Sequence, residues 1–277
     1  MAATMQTVEL FPEGRVPVTL TGIAMIEPSG ASRIRTLPEQ ASSARLLGNR
    51  LLAALPGDSF ALLEPDFKDV VLPQGFVCFD PGDPVNQVYF PHSGMISCLV
   101  TTGDGEMVET SSVGREGAVG LQSGFGRRVS FTRALVQIAG KFTVLPAARL
   151  ENAVSRSPAL RDVILRYIET LWAEAQQNAA CNAIHDGSAR LCRWLLQCAD
   201  KIGSDQLLLT QEFLAEMLGV RRTTVTLLAQ ELQKNGIVRY SRGRITILDR
   251  PALKAAACEC YNAVKHDRPL GGTGMTI

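Results

Sequence analysis

The chain has 277 residues, 46% of them hydrophobic and 20% charged, with a formal net charge of +1. This length exceeds one typical domain and the apolar share suffices for sizeable cores, so two packed domains are expected. No run of 18 or more apolar residues occurs, and no basic segment leads into an apolar core near Met1. Neither a membrane span nor a secretory leader is therefore expected, and the location should be cytoplasmic.

Residues 1–42 mix Pro, Gly, Ser and Ala with little periodicity and read as a flexible extension. Two short helices, around Asn49–Leu55 and Asp58–Leu63, open the folded part. From Phe67 to about Leu145 the texture changes to short apolar runs. These are Val70–Leu72, Phe76–Phe79, Val88–Phe90, Ile96–Val100, Met107–Val108 and Leu135–Val136, separated by Gly, Pro and Asp turns. Such spacing predicts an antiparallel roll over 43–155.

Ser157-Pro158 then supplies a cap and a first helical Pro for a long helix over 156–184. Leu160, Ile164, Tyr167, Leu171 and Ala175 lie on an apolar stripe about six turns long. No other segment is obviously placed to cover it, so a copy of the same helix in a second subunit is the expected cover, beside partial packing on the roll. A further helix, about Gly187–Lys201, turns Leu191, Trp194, Leu195 and Cys198 inward and leads into a last domain over 185–255, followed by a tail over 256–277.

Residues 210–229, TQEFLAEMLGVRRTTVTLLA, carry the most information. Leu214, Leu218, Val225 and Leu228 recur at helical intervals and form a shared seam between two short helices. Ala215 is small where the second helix passes, and Gly219 sits where the chain must reverse. Arg221, Arg222, Thr223, Thr224 and Thr226 face away from the seam. That layout fits a helix-turn-helix whose second helix enters the DNA major groove, although an ordinary helical hairpin with a solvated face has the same spacing. Asn235-Gly236 stops the second helix. GIVRYSRGRITILD then reads as a hairpin turning at Ser241–Arg244, with Arg242 and Arg244 at the turn. Residues 219–250 hold seven Lys/Arg against two acids, and the positive charge is segregated toward the C-terminal part of the chain. This is the electrostatic footprint of a polyanion-binding wing.

The most direct DNA roles fall on Arg222, as a fork for guanine O6 and N7, and on Arg221, Thr223, Thr224 and Thr226 for phosphate or thymine methyl. Thr210, capping the first helix, would aim amides at a phosphate. Arg242 and Arg244 would add sequence-blind, salt-sensitive affinity.

Catalytic patterns are absent from the sequence. His92, His185 and His266 are scattered without HxxxH spacing, and no GxSxG, GxxxxGK[ST] or GxGxxG occurs. An enzyme is not expected. Seven cysteines, an odd number without a CxxC pair, give no disulfide framework. Cys258 and Cys260 are close enough for a metal or redox pair, but no third ligand stands near them in sequence, so no metal is expected.

A glycine-punctuated roll, a long helix and a winged helix-turn-helix, in that order, resemble the Crp/Fnr family of bacterial transcription regulators. The likeness covers about residues 47–255. Its most specific parts are Gln211–Lys234 with the wing, and Pro81-Gly82-Asp83, Val88-Tyr89-Phe90, Gly94 and Gly114–Leu121 in the roll. The resemblance implies an α+β fold: a cyclic-nucleotide-binding-like jelly roll, a dimerisation helix and a C-terminal winged helix-turn-helix. It also implies a homodimer on palindromic double-stranded promoter DNA, with RNA polymerase as a further partner and no membrane partner. Cyclic-AMP-binding members hold the ribose with a Glu after a Gly and the phosphate with Arg-Ser/Thr. Here Gly117-Ala118 lacks the Glu, and Thr132-Arg133 reverses the second pair. A one-residue shift on a strand sends a side chain to the other face. Cyclic AMP is therefore not expected in the pocket that Gly117, Ala118, Thr132 and Arg133 would mark, and no cofactor is expected. Iron-sulfur members need an N-terminal cysteine cluster, whereas the first cysteine here is Cys78. The alternative is a cyclic-nucleotide or small-molecule sensing module whose C-terminal helices regulate a protein partner.

Overall fold

The computed structural model describes residues 35–36, 48–126, 128–241 and 243–263. Most of the expected extension, residues 264–277 of the tail, Arg242 and His266 lie outside these. Within the stretch expected to be an extension, Arg35–Thr36 form β1, an edge strand on Val70 and Val71. Asn49 caps α1 (Arg50–Ala53) by accepting from the Leu52 amide, and α2 (Gly57–Ala61) follows.

Each apolar run became a strand: β2 (Lys68–Leu72), β3 (Val77–Phe79), β4 (Gln87–Pro91), β5 (Met95–Thr101), β6 (Met107–Val113) and β7 (Arg133–Ile138). β8 (Gly140–Pro146) completes two antiparallel sheets, ordered β1-β2-β8-β4 and β3-β7-β5-β6. Their inner faces meet over Leu72, Phe79, Tyr89, Ile96, Val136 and Phe142. The period of two decides which side chains enter. Ala134 and Val136 of β7 fill the roll while Leu135 joins the core of the C-terminal helices; Ile138 joins it too, beyond a register shift against β5 that breaks the alternation.

α3 (Ala147–Arg156) and α4 (Pro158–Ile184) run on from the roll. The Ser157 hydroxyl accepts from the Leu160 amide at 3.1 Å, and Pro158 occupies the first turn, as the sequence implied. The stripe on α4 is not covered as expected. Leu160, Ile164 and Tyr167 are buried with Leu51, Phe60, Leu121 and Leu150 of the same chain, so they are unavailable to a second subunit. Leu171 is half-buried against the same cores, and Ala175 is half-buried. The open part of the helix lies elsewhere: Trp172 is 67% and Ile184 76% exposed.

α5 (Gly187–Ile202) packs Leu191, Trp194, Leu195 and Cys198 against Leu99, Leu135 and Ile138 of the roll. Polar groups are sealed at this junction. Trp194 Nε1 donates to Glu109 at 2.8 Å, and Ser97 donates to the same carboxylate at 2.5 Å. Lys201 Nζ lies 2.7 Å from Glu174 and 3.8 Å from Glu116, and it donates to Ser112 Oγ at 2.9 Å. Arg193 donates to Asn178 at 2.6 Å. This explains why the polar half of β6, Glu109–Ser112, is strand although it carries no apolar run. Burial pushes the Glu109 carboxyl up to about 7, against the opposing pull of its two donors and Lys201.

Candidate nucleic-acid interface

The last domain has a three-stranded sheet ordered β10-β11-β9, from β9 (Gln206–Leu208), β10 (Val238–Ser241) and β11 (Arg244–Ile247). Between β9 and β10 stand α6 (Gln211–Leu218) and α7 (Arg222–Lys234). Leu214, Met217, Leu218, Val225, Ala229 and Leu232 are buried at or beside the seam, and Leu228 is half-buried there. Gly219 holds φ +60° between the two helices, a conformation that L side chains rarely adopt. A Cβ there would come 2.7 Å from Val108 Cγ2, so the turn also rests on the roll. α8 (Arg250–Ala256) and α9 (Cys260–Ala263) close the described chain.

The start of α7 faces outward. Arg221, Arg222 and Thr223 are exposed, Thr224 and Thr226 are half-buried, and Leu227 is 66% exposed. Two contacts join this turn to α6, and a third approach joins the wing turn to the cap of α6. Arg222 Nη1 lies 3.0 Å from Glu212 Oε1, with 63% and 71% of the two side chains exposed. Thr226 Oγ1 lies 3.0 Å from Gln211 Oε1, and a Cβ on Gly243 would lie 3.8 Å from Thr210 Cγ2. Thr210 caps α6 by accepting from the Phe213 amide, and the Leu209 amide donates to the Gly243 carbonyl at 2.8 Å. The wing turn, the N-terminus of α6 and the first turn of α7 thus form one continuous surface. Gln211 and Glu212, absent from the sequence-based set, are the links; their place in the first turn of α6 was the available signal. Arg244 is exposed beside the wing turn, opposite Ser241, and Arg242 lies outside the described residues.

The four pocket residues are not brought together. Arg133 points away from the roll interior, its Nε 3.0 Å from Asp80 Oδ1. Thr132 is half-buried in the preceding turn. Gly117 lies under the Tyr167 ring, where a Cβ would meet the phenol oxygen at 1.8 Å, and Ala118 is buried beside it. Phe79, Ile96, Ala134, Val136 and Phe142 fill the space between the sheets. Neither a carboxylate for a ribose nor a guanidinium for a phosphate is presented by these four residues.

Elsewhere the fold supplies what the sequence lacked around Cys258 and Cys260. Cys181 and His185, at the end of α4, bring their ligand atoms within 4.8 Å of both sulfurs. The reading that no third ligand stood nearby is thereby corrected. The signal was the Cys-x-x-x-His spacing at 181 and 185, one helical turn on a single face.

A roll feeding a winged helix-turn-helix defines the class of DNA-binding transcription regulators. Residues 189–256 match the family model described as the Crp-like helix-turn-helix domain. The chain is 26% identical over 179 residues to the global nitrogen regulator of Nostoc sp., covering 61% of this chain and 80% of that protein. It is 23% identical over 208 residues to the CRP-like cAMP-activated global transcriptional regulator of Mycobacterium tuberculosis, covering 72% and 92% respectively. Among solved structures, FixK2 from Bradyrhizobium japonicum has the same fold, with a TM-score of 0.61 at 15% identity over 69% of this chain and 98% of that one. Residues 189–256 thus carry a Crp-like helix-turn-helix domain, and the rest of the chain is similar to transcription regulators of the Crp/Fnr type.

Proposed function

We propose that the chain works as a homodimer that reads palindromic promoter sites with the first turn of α7, and so controls transcription by RNA polymerase. The observation that carries this reading is the continuous outward surface from Gly243 through Thr210 and Gln211 to Thr226 and Arg222. Arg222 is the base reader, since its exposed pair with Glu212 is cheap to exchange for a guanine edge. Arg221, Thr223 and Arg244 meet phosphate, and amides at the start of α6 add an anion site capped by Thr210. Thr224 and Thr226 support the turn, Thr226 through Gln211.

Exposed Trp172 supports pairing through α4, since a large aromatic left open on a long helix suits an interface anchor. The dimer seam then runs along the side that bears Trp172 rather than through Leu160, Ile164 and Tyr167. Trp172→Ala should convert the dimer to monomer in sedimentation while leaving the fold intact; an unchanged dimer removes α4 from the seam. Apolar side chains in the roll interior and the pairing of Arg133 with Asp80 favour a signal other than cyclic AMP.

Selection of bound sequences from random DNA, with and without cyclic nucleotides, tests the reading. An inverted repeat with half-sites about 34 Å apart, or a multiple of that, is expected without any nucleotide. Failure to enrich any sequence, or enrichment only with a cyclic nucleotide, overturns it.

A further inference from the structure

We propose that Cys181, His185, Cys258 and Cys260 form a tetrahedral zinc site that ties the C-terminal segment of the DNA-reading domain to the end of α4. All four ligand atoms lie within 4.8 Å of one another. The Cys181 and Cys258 sulfurs are 3.6 Å apart, and Cys260 Sγ lies 3.6 Å from His185 Nδ1. Zinc bound at about 2.3 Å to sulfur and about 2.0 Å to nitrogen sets such edges near ~3.8 and ~3.6 Å in a tetrahedron. Two edges are already of that length, and the widest needs only small side-chain rotations.

The surroundings prepare the same chemistry. His185 Nε2 lies 3.1 Å from Glu259 Oε1. With Nε2 directed at that carboxylate, Nδ1 is the ring nitrogen turned toward the sulfurs. A carboxylate behind a histidine is the usual outer support of a zinc ligand. Gln177 Nε2 donates to Cys260 Sγ at 3.0 Å, so the sulfur is held in place from the α4 side. Three thiolates and a neutral imidazole around a divalent cation carry one net negative charge, which buried Arg193 offsets. A sulfur-rich set without carboxylate ligands selects zinc over calcium or magnesium, and four protein ligands leave no open position.

The cluster straddles the link between α4 and α5. α4 ends at Ile184 and α5 begins at Gly187, so His185 lies in the two-residue link between spine and reader. Cys258 and Cys260 arrive from beyond α8, across the reader. A metal held by both sides fixes the angle at that link, and metal loss frees it.

The test reads metal alone, so it does not depend on DNA binding. The full chain, purified under reducing conditions from zinc-containing medium and dialysed, should retain one zinc per chain by elemental analysis. Cys258→Ser and His185→Ala should lose it. His185→Cys, which restores four ligands, and Cys78→Ser, within the roll, should keep it. Because a variant can fail to fold, cobalt titration of the unsubstituted chain stripped of zinc serves as an independent readout. Thiolate-to-cobalt charge-transfer and tetrahedral ligand-field bands should saturate at one equivalent. Absence of both zinc and cobalt bands, retention of zinc by Cys258→Ser, or isolation of a Cys181–Cys258 disulfide in place of the metal would overturn the proposal.

Discussion

At the start of α7 the Arg222–Glu212 pair is exposed on both sides, whereas at the junction of roll, α4 and α5 the Lys201–Glu174 pair is sealed from water. The two distances, 3.0 and 2.7 Å, are close, yet the roles are opposite. An exposed pair gains little because water and salt screen it, so its arginine exchanges partners at small cost. A buried pair gains little over an apolar pair, but breaking it strands a charge in a poorly solvating interior. On the proposed function, charge in this protein is therefore a reading surface in one region and a lock in the other.

The comparison is broken most severely by Lys201→Ala. It leaves Glu174 and Glu116 buried without their cation, and should cost about 3–5 kcal/mol in denaturant unfolding. Adding Glu174→Gln should recover part of that loss, and no recovery would show that the pair is not the lock.

Glu109 gives the next largest effect, and it depends on pH. Its folded pKa of about 7 exceeds the ordinary 4.5, so the native state binds more protons than the unfolded chain between those values. Stability should fall as pH rises through that window, by roughly 3 kcal/mol at about 1.4 kcal/mol per unit. Glu109→Gln keeps an acceptor for Trp194 and should flatten melting temperature against pH across 4.5 to 7. A wild-type slope that survives the substitution assigns the titration to another group.

On the reading side, Arg222→Ala should relax preference at one base pair per half-site by about 1–3 kcal/mol, with little change in melting temperature. The smallest effect belongs to Arg244→Ala. It should weaken all sequences alike and reduce the slope of log affinity against log salt by about 1. Equal, unselective losses in both variants, measured on selected and scrambled DNA, would remove Arg222 from base reading.

Some elements were legible because their signals are local. Gly219 and Asn235-Gly236 mark the ends of α6 and α7 by backbone conformation, and Ser157-Pro158 marks the start of α4 by capping. By the period of two, the reversed order of Thr132-Arg133 implies that Arg133 need not enter a pocket, and its Nε lies against Asp80. The apolar stripe of α4 reads in sequence as covered partly by the roll and partly by a second copy, and Leu160, Ile164 and Tyr167 fall to their own chain. Periodicity shows that a face is covered, but not whether its own chain or a second copy covers it.

By itself the sequence determined the roll, the long helix, the winged helix-turn-helix and the exposed cationic turn, since each follows from steric and hydrophobic rules acting within a few residues. Tertiary structure alone decided that Leu160, Ile164 and Tyr167 belong to the roll, and that Lys201 meets Glu174 and Glu116. It also decided that Cys181 meets Cys258 from 77 residues away. Contacts at such separations depend on how whole elements dock, and docking is set by complementary surfaces that no local pattern encodes.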